Sequence, residues 1–295
     1  MTSTDVKVPY AEVIGDPIAQ SKSPAIHNFW LGKLGIEARY EHCRVTLDEL
    51  PEYLERRRGD PDWRGCNVTM PHKLAIMPLL DRIDPVAAGI GAVNTVVRED
   101  DGALAGYNTD APGFLEPLAG ELAGVHLMRM ARVLGTGGAA RAIVAALAAQ
   151  NFVIVLAGRD PAKARAMLDE LAPVSERQAI AHHAVDITHF GDPTAFEFDD
   201  REGCLDLIVN ASPLGMTGQP PLPFDFSHAP PGSVVYDIVT SPLDTAFLQD
   251  AREAGFRTVD GLSMLIGQAD AAFTRFFGSR PPRGDDAELR GLILS

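Results

Sequence analysis

One glycine-rich turn and four polar clusters hold the residue types that could do chemistry in this chain. The turn is Gly135-Thr136-Gly137-Gly138-Ala139-Ala140. An apolar run ending Arg132-Val133-Leu134 precedes it. An alanine-rich stretch, Ala139 to Gln150, follows it, and a second apolar run, Phe152 to Ala157, ends at Gly158-Arg159. Strand, glycine turn, helix, strand is the context in which G-x-G-x-x-[GA] signals dinucleotide binding; without it the match is an ordinary turn. Gly135 permits the tight turn, Gly137 a close backbone approach to a pyrophosphate, and Ala140 close packing of helix on strand. The helix start then offers free N–H groups and a positive dipole end to the phosphates.

Arg159 closes the second strand about twenty residues after the motif, where an acidic residue would bind the ribose of NAD. A guanidinium there suits a 2′-phosphate, whose oxygens its planar fork can hold in pairs. Lys163 adds a second cation, and the alternative is that both are solvated residues at a helix start. Asp160 opposes a 2′-phosphate electrostatically. NADP is therefore favoured, with NAD still open.

The polar clusters sit at turns beside apolar runs, where side chains can converge. Ser21-Lys22-Ser23-Pro24 could bind a carboxylate with its hydroxyls, or Ser23 could simply cap a helix beginning at Pro24. In Asn67-Val68-Thr69-Met70-Pro71-His72-Lys73, Pro71 holds the chain extended and Lys73 falls on the first helical turn, as a chemical group or as a solvated lysine. Gly91-Ala92-Val93-Asn94-Thr95 and Gly106-Tyr107-Asn108-Thr109-Asp110 put amide, hydroxyl and carboxylate groups at strand ends. The last could also cap the helix that follows.

The elements that must position these groups alternate between strand and helix. Strands are expected at Ala11 to Ile14, Arg39 to Val45 and Cys66 to Val68, and helices at Ala25 to Leu34, Leu47 to Arg58 and Lys73 to Leu80. Val93 to Arg98 and Ala103 to Tyr107 flank Asp101-Gly102 as a hairpin. Beyond the glycine motif, buried strands are expected at Leu205 to Val209, Val234 to Val239 and Phe256 to Val259, and a helix at Met264 to Phe277. Pro213 to Pro223 reads as a loop, and the tail from Gly278 as partly mobile. Because the glycine motif begins only at 135, a separate α/β unit precedes the nucleotide unit.

Composition narrows the partners. Lys and Arg number 26 and Asp and Glu 40, a net charge of −14, which disfavours a nucleic-acid surface and anionic lipid. An anionic ligand would need a local cluster of cations. Cys43, Cys66 and Cys204 are odd in number and lack C-x-x-C spacing, as expected of reduced thiols in the cytoplasm. Met1 to Pro9 lacks the apolar stretch of a signal peptide. No run approaches a membrane helix in length, and the eight histidines show no metal-ligand spacing. His182 and His183 read as surface residues. The expected partner is a small molecule, with no nucleic acid, no membrane and no metal, and the chain is a monomer or a homodimer.

Taken in order, these motifs resemble those of the shikimate dehydrogenase family, which includes shikimate and quinate dehydrogenases. The resemblance runs through Gly15 to Pro24, Asn67 to Lys73, Gly91 to Thr95, Asn108 to Asp110 and Gly135 to Ala140. It continues in Asn210-Ala211-Ser212-Pro213-Leu214-Gly215-Met216 and in Asp260 to Gln268, so it covers nearly the whole chain. It implies an α/β enzyme of two domains. Residues 1–112 with 261–295 would bind substrate and carry catalysis, and 113–260 would form a doubly wound, Rossmann-type NADP-binding domain.

The implied reaction is the NADPH-dependent reduction of 3-dehydroshikimate to shikimate, in aromatic amino acid biosynthesis. By the same resemblance, Lys73 and Asp110 are the catalytic pair, and Ser21 and Ser23 bind the substrate carboxylate. Thr69, Asn94, Asp110 and Gln268 hold ring hydroxyls, with Asn67 supporting the pocket. Gly135, Gly137, Gly138 and Ala139 cradle the pyrophosphate, Arg159 and Lys163 meet the 2′-phosphate, and Met264 lies against the nicotinamide. The residue types agree: hydride transfer to a ketone builds negative charge on oxygen, which an ammonium can stabilise and protonate.

Two positions depart from the family pattern. Thr240 stands where a tyrosine is usual, and Gly158-Arg159-Asp160 stands where Asn-Arg-Thr is typical. The competing expectations are a paralogue acting on quinate or another cyclitol acid with NAD, and a nucleotide-sensing regulator that keeps the fold without turnover.

Overall fold

The computed structural model describes residues 8–173, 181–198 and 201–294. Residues 1–7, on which the signal-peptide reading mostly rests, lie outside this range. The chain divides into two compact units, residues 1–109 with 266–295, and residues 110–265.

Unit 1 is built around a sheet of six strands. β1 (Tyr10–Gly15) is buried along its length, as a strand covered on both faces must be. It leads to α1 (Ser23–Leu34), which Pro24 opens and Gly35 ends with a left-handed φ of 64°, a conformation that costs glycine little. β2 (Arg39–Arg44), α2 (Leu50–Arg58), β3 (Trp63–Val68) and α3 (His72–Ala75) follow, then β4 (Arg82–Ile83), α4 (Pro85–Ile90), β5 (Thr95–Arg98) and β6 (Leu104–Tyr107). The order is β2-β1-β3-β5-β6-β4. β1 runs parallel to β2 and β3, and β5 runs antiparallel to β3 and β6.

The expected helix at Lys73 to Leu80 is shorter than its apolar pattern suggests. It stops at Ala75 and gives way to a 3₁₀ turn at Met77–Leu79. Pro78 explains this, since a proline inside the helix would lack its N–H and clash with the preceding turn.

Among the described residues, the core of unit 1 buries the carboxylate of Glu12. This carboxylate accepts from Tyr53 Oη at 2.8 Å, from Arg57 at 2.9 and 2.6 Å, and from Trp63 Nε1 at 3.2 Å. A buried carboxylate is tolerable only when it is paired and hydrogen-bonded in this way.

Unit 2 begins with α5 (Asp110–Leu115) and α6 (Ala119–Leu122). It continues through β7 (Met128–Leu134), α7 (Gly138–Ala149), β8 (Val153–Gly158), α8 (Pro161–Leu171), β9 (His183–Asp186), β10 (Cys204–Asn210), β11 (Val234–Asp237), α9 (Ala246–Glu253) and β12 (Arg257–Val259). Its sheet is parallel throughout, in the order β12-β11-β10-β7-β8-β9. That is the doubly wound order, and it reverses direction between β7 and β10.

α10 (Gly261–Phe277) closes the chain's path through unit 2 and enters unit 1 at Ile266. There Ala272 and Phe276 pack with Ala11, Val13 and Tyr40.

Two expectations need correction. The tail from Gly278 is not loose: Arg283 bonds Asp270 at 2.9 Å and Asp286 at 2.8 Å, and α11 (Asp286–Leu294) buries Leu289. Of the histidine pair, His183 is exposed but His182 is buried. Its Nδ1 accepts the Ile154 N–H at 3.0 Å, a bond that makes burying the ring tolerable, and burial lowers its pKa.

Candidate active site

The strand directions of unit 1 bring its polar clusters to one edge. Ser21 and Ser23 follow the carboxyl end of β1, and Asn67, Thr69 and Lys73 lie at or beyond the carboxyl end of β3. Asn94 precedes β5, and Asn108 and Thr109 follow β6. Asn67 lies opposite Thr95, which lies opposite Tyr107, so these ends coincide. The first two loops touch: a Cβ on Gly15 would fall 2.6 Å from Thr69 Cγ2, and the Asp16 N–H donates to the Met70 carbonyl.

Ser23 does not cap α1. The helix begins at Ser23 itself, with Lys22 at the cap position and no capping side chain. Ser21 Oγ accepts the Ser23 N–H at 3.4 Å and lies 3.3 Å from Ser23 Oγ, so the two hydroxyls share one locus. Lys73 is half-buried in α3, not a solvated surface residue. Its carbonyl accepts the Val93 N–H at 2.8 Å, tying α3 to the segment that carries Asn94.

Asn67, Asn94 and Gln268 are buried and joined by hydroxyls. Tyr40 Oη donates to Asn67 Oδ1 at 2.6 Å, and Asn67 Nδ2 donates to Thr95 Oγ1 at 3.1 Å. Thr95 Oγ1 in turn donates to Asn94 Oδ1 at 3.0 Å. The Thr109 N–H also donates to Asn94 Oδ1, at 2.7 Å, and a backbone N–H can only donate. The Asn94 amide therefore has one orientation, with Nδ2 as donor. That Nδ2 reaches Thr109 Oγ1 at 2.9 Å and Gln268 Oε1 at 3.4 Å. A buried polar array with its partners made is rigid and specific.

Sequence reasoning placed Thr95 in a polar cluster without a role, and missed Tyr40 and His27. His27 stacks on Tyr40 at 4.0 Å and 6°. Both its ring nitrogens are buried without a hydrogen-bond partner, and burial pushes its pKa down to about 3. The Asn28 side chain grips Tyr40's backbone with two bonds, of 2.8 and 3.0 Å. The available signal was the position of His27 beside Ile26 and three residues before Trp30, on the apolar face of α1.

In unit 2 the glycine turn joins the carboxyl end of β7 to α7 at the point where the strand order reverses. Gly135 has φ 125°, and a Cβ there would lie 2.6 Å from the Ala211 carbonyl oxygen. Only glycine fits such a position. A Cβ on Gly137 would meet nothing within 4 Å, so open space lies above it at the cap of α7. Gly138 and Ala139 form the first turn, and Ala140 is buried. A cradle of backbone N–H groups at a helix start, with room above it, fits a pyrophosphate.

Arg159 and Lys163 are exposed at the end of β8 and the first turn of α8. Asp160 proves to be the cap of α8: its Oδ1 accepts the Ala162 and Lys163 N–H groups at 2.9 and 3.3 Å. The carboxylate is thus engaged by its own helix. Asp110 is buried at the first residue of α5, and Met264 is buried in the first turn of α10. Thr240 is half-buried after β11. Tyr236 does not stand in for a tyrosine there, because it is buried against Phe114 with centroids 5.0 Å apart.

A family model described as the shikimate dehydrogenase substrate binding domain matches residues 13–96. The chain is 49% identical over 289 residues to the shikimate dehydrogenase (NADP(+)) of Sphingopyxis alaskensis, covering 97% of each chain. It is 44% identical to that of Methylobacterium radiotolerans, with 98% of each covered. The crystal structure of shikimate 5-dehydrogenase from Thermus thermophilus in complex with NADP(H) and shikimate superposes with a TM-score of 0.80 at 35% identity, covering 97% of this chain and 100% of that one. Matched in sequence over nearly its full length and in fold over both units, the chain belongs to the shikimate dehydrogenase family.

Proposed function

We propose that this protein reduces 3-dehydroshikimate reversibly to shikimate with NADPH. The observation that carries the reading is the gathering of two serine hydroxyls, the Asn67–Asn94–Gln268 amide array and the half-buried Lys73 at one edge of the unit 1 sheet. A carboxylated, polyhydroxylated ring needs such a set. Ser21 and Ser23 take the carboxylate, while Thr69, Asn94, Asp110 and Gln268 take the ring oxygens. Asn67 holds Asn94 in place through Thr95.

Bound NADPH supplies the hydride that reduces the ketone carbon. The Lys73 ammonium stabilises the negative charge growing on the ketone oxygen and donates the proton that completes the alcohol. Asp110 serves as the second member of the catalytic pair. In unit 2, Gly135, Gly137, Gly138 and Ala139 hold the pyrophosphate, Arg159 and Lys163 the 2′-phosphate, and Met264 borders the nicotinamide. In this reading, unit 1 with α10 is the substrate unit and unit 2 the nucleotide unit. The two cations Arg159 and Lys163, both exposed beside the end of β8, support NADPH over NADH. The protein works in the cytoplasm as a monomer or homodimer, a setting supported by its free cysteines. Among the described residues no helix is long and apolar enough to cross a membrane.

The deciding experiment measures 3-dehydroshikimate reduction by the purified protein with NADPH and with NADH, and quinate oxidation with NAD. Turnover with 3-dehydroshikimate and NADPH is expected to dominate. Tight NADPH binding without turnover would replace the reading by a nucleotide sensor, and preferred quinate oxidation with NAD would replace it by a quinate enzyme.

A further inference from the structure

Asp237 is fully buried at the carboxyl end of β11 and belongs to none of the groups assigned so far. Its Oδ1 accepts from Asn210 Nδ2 and from the Val239 N–H, each at 3.0 Å. Its Oδ2 accepts from Thr245 Oγ1 at 2.7 Å. Burial raises its pKa and these three donors oppose that shift. A carboxylate kept out of water is tolerable only with its donors in place, so it and they form one unit.

Two of these donors belong to segments that border the glycine turn and the start of α10. Asn210 Nδ2 also donates to the Leu214 carbonyl at 2.9 Å. Asn210 Oδ1 accepts from the Ser212 N–H at 3.1 Å and from its hydroxyl at 2.7 Å. The loop after β10 is therefore wound around one amide whose orientation Asp237 sets. A Cβ on Gly135 would fall 2.6 Å from the Ala211 oxygen and 2.8 Å from the Ser212 nitrogen, so the glycine turn rests on that same loop. Val239 leads the other way. A Cβ on Gly261 would lie 2.3 Å from the Val239 oxygen and 2.6 Å from that of Ile238. Gly261 opens α10, with Met264 in its first turn.

We infer that Asp237 is a positioning residue of the nucleotide site, holding through Asn210 the loop against which the glycine turn packs, and through Val239 the seat of α10. The inference rests on the nucleotide reading of unit 2. It does not require Asp237 to touch the cofactor. Asparagine at 237 keeps the shape but offers one acceptor oxygen in place of two, and turns an N–H₂ group toward a donor.

The test is a fluorescence titration of wild type, Asp237→Asn, Thr245→Val and Thr245→Ser with NADPH, alongside Michaelis constants for 3-dehydroshikimate. Asp237→Asn is expected to weaken NADPH binding about tenfold, as loss of one or two buried hydrogen bonds would, with a smaller change in the 3-dehydroshikimate constant. Thr245→Val should shift NADPH binding the same way, and Thr245→Ser, which keeps the hydroxyl, should restore it. The double variant Asp237→Asn/Thr245→Val should lose less than the product of the two single effects, since the two side chains share one hydrogen bond, although Thr245 Oγ1 also accepts the Leu248 N–H at the start of α9.

If Asp237→Asn does not fold, the Thr245→Val and Thr245→Ser pair decides. Unchanged NADPH binding in Thr245→Val, or equal losses for cofactor and substrate, would overturn the inference while the nucleotide reading stands on wild-type binding. Failure of the wild type to bind NADPH would overturn both.

Discussion

Replacing Lys73 by alanine removes the group placed to protonate the ketone oxygen. Positioned proton transfer contributes about 10²–10⁴-fold to rate, or roughly 3–5 kcal/mol of barrier. Lys73→Ala should therefore lose turnover by that factor while NADPH affinity, measured by titration, stays at the wild-type value. Asp110→Asn should lose turnover too and raise the Michaelis constant for substrate. The losses should combine less than multiplicatively, because the two residues act as a pair. Near-normal turnover of Lys73→Ala would remove it from the mechanism. Arg159 makes a separate prediction. With Asp160 bound to its own helix, Arg159→Ala should raise the Michaelis constant for NADPH and leave that for NADH nearly unchanged. An equal effect on both cofactors would mean that Arg159 does not meet the 2′-phosphate.

At the scale of elements, α1, β2 and α10 meet around His27. Its ring lies within stacking distance of Tyr40 and Phe273 and edge-on to Trp30. Burial lowers the pKa of His27 to about 3, against about 6.5 in the unfolded chain. Neutral His27 is thus the form that folds. As pH falls below 6.5 the unfolded chain takes up a proton that the folded chain refuses, so stability is lost progressively down to about pH 3. The full effect approaches roughly 5 kcal/mol as an order of magnitude. His27→Phe keeps a stacking ring and cannot titrate. Urea unfolding at pH 7 and pH 5 should show a smaller acid-side loss for the variant than for wild type; parallel losses would assign the acid sensitivity elsewhere.

For the whole molecule, a charge of −14 repels an anionic cofactor at long range, so affinity must come from local donors and cations. A ligand bound only by the folded state at 100 times its dissociation constant stabilises that state by about 2.7 kcal/mol. NADPH should therefore raise the melting temperature, and NADH at the same concentration should raise it less. Arg159→Ala should erase most of that difference. Identical shifts from the two cofactors in the wild type would contradict the assignment of the 2′-phosphate site.

The glycine turn, the flanking strands and the order of the polar clusters were legible in the sequence because each depends on local rules. Glycine conformational freedom, proline at helix starts and apolar periodicity act within a few residues of themselves, so Gly135, Pro24 and the β5–β6 hairpin could be read directly. The end of α3 was legible in principle too, through Pro78, yet its apolar spacing suggested a longer helix.

What the tertiary structure alone decided was partnership. Strand order brings Asn67, Thr95 and Tyr107 side by side from distant parts of the chain and makes Tyr40 a donor to Asn67. It buries His27, His182, Glu12 and Asp237, whose polar types suggest exposure. No spacing rule shows that Tyr40 donates to Asn67 or that Asp237 braces the loop under Gly135. Such roles arise from hydrogen bonds between residues far apart in sequence, and those bonds exist only once the sheets have set their register.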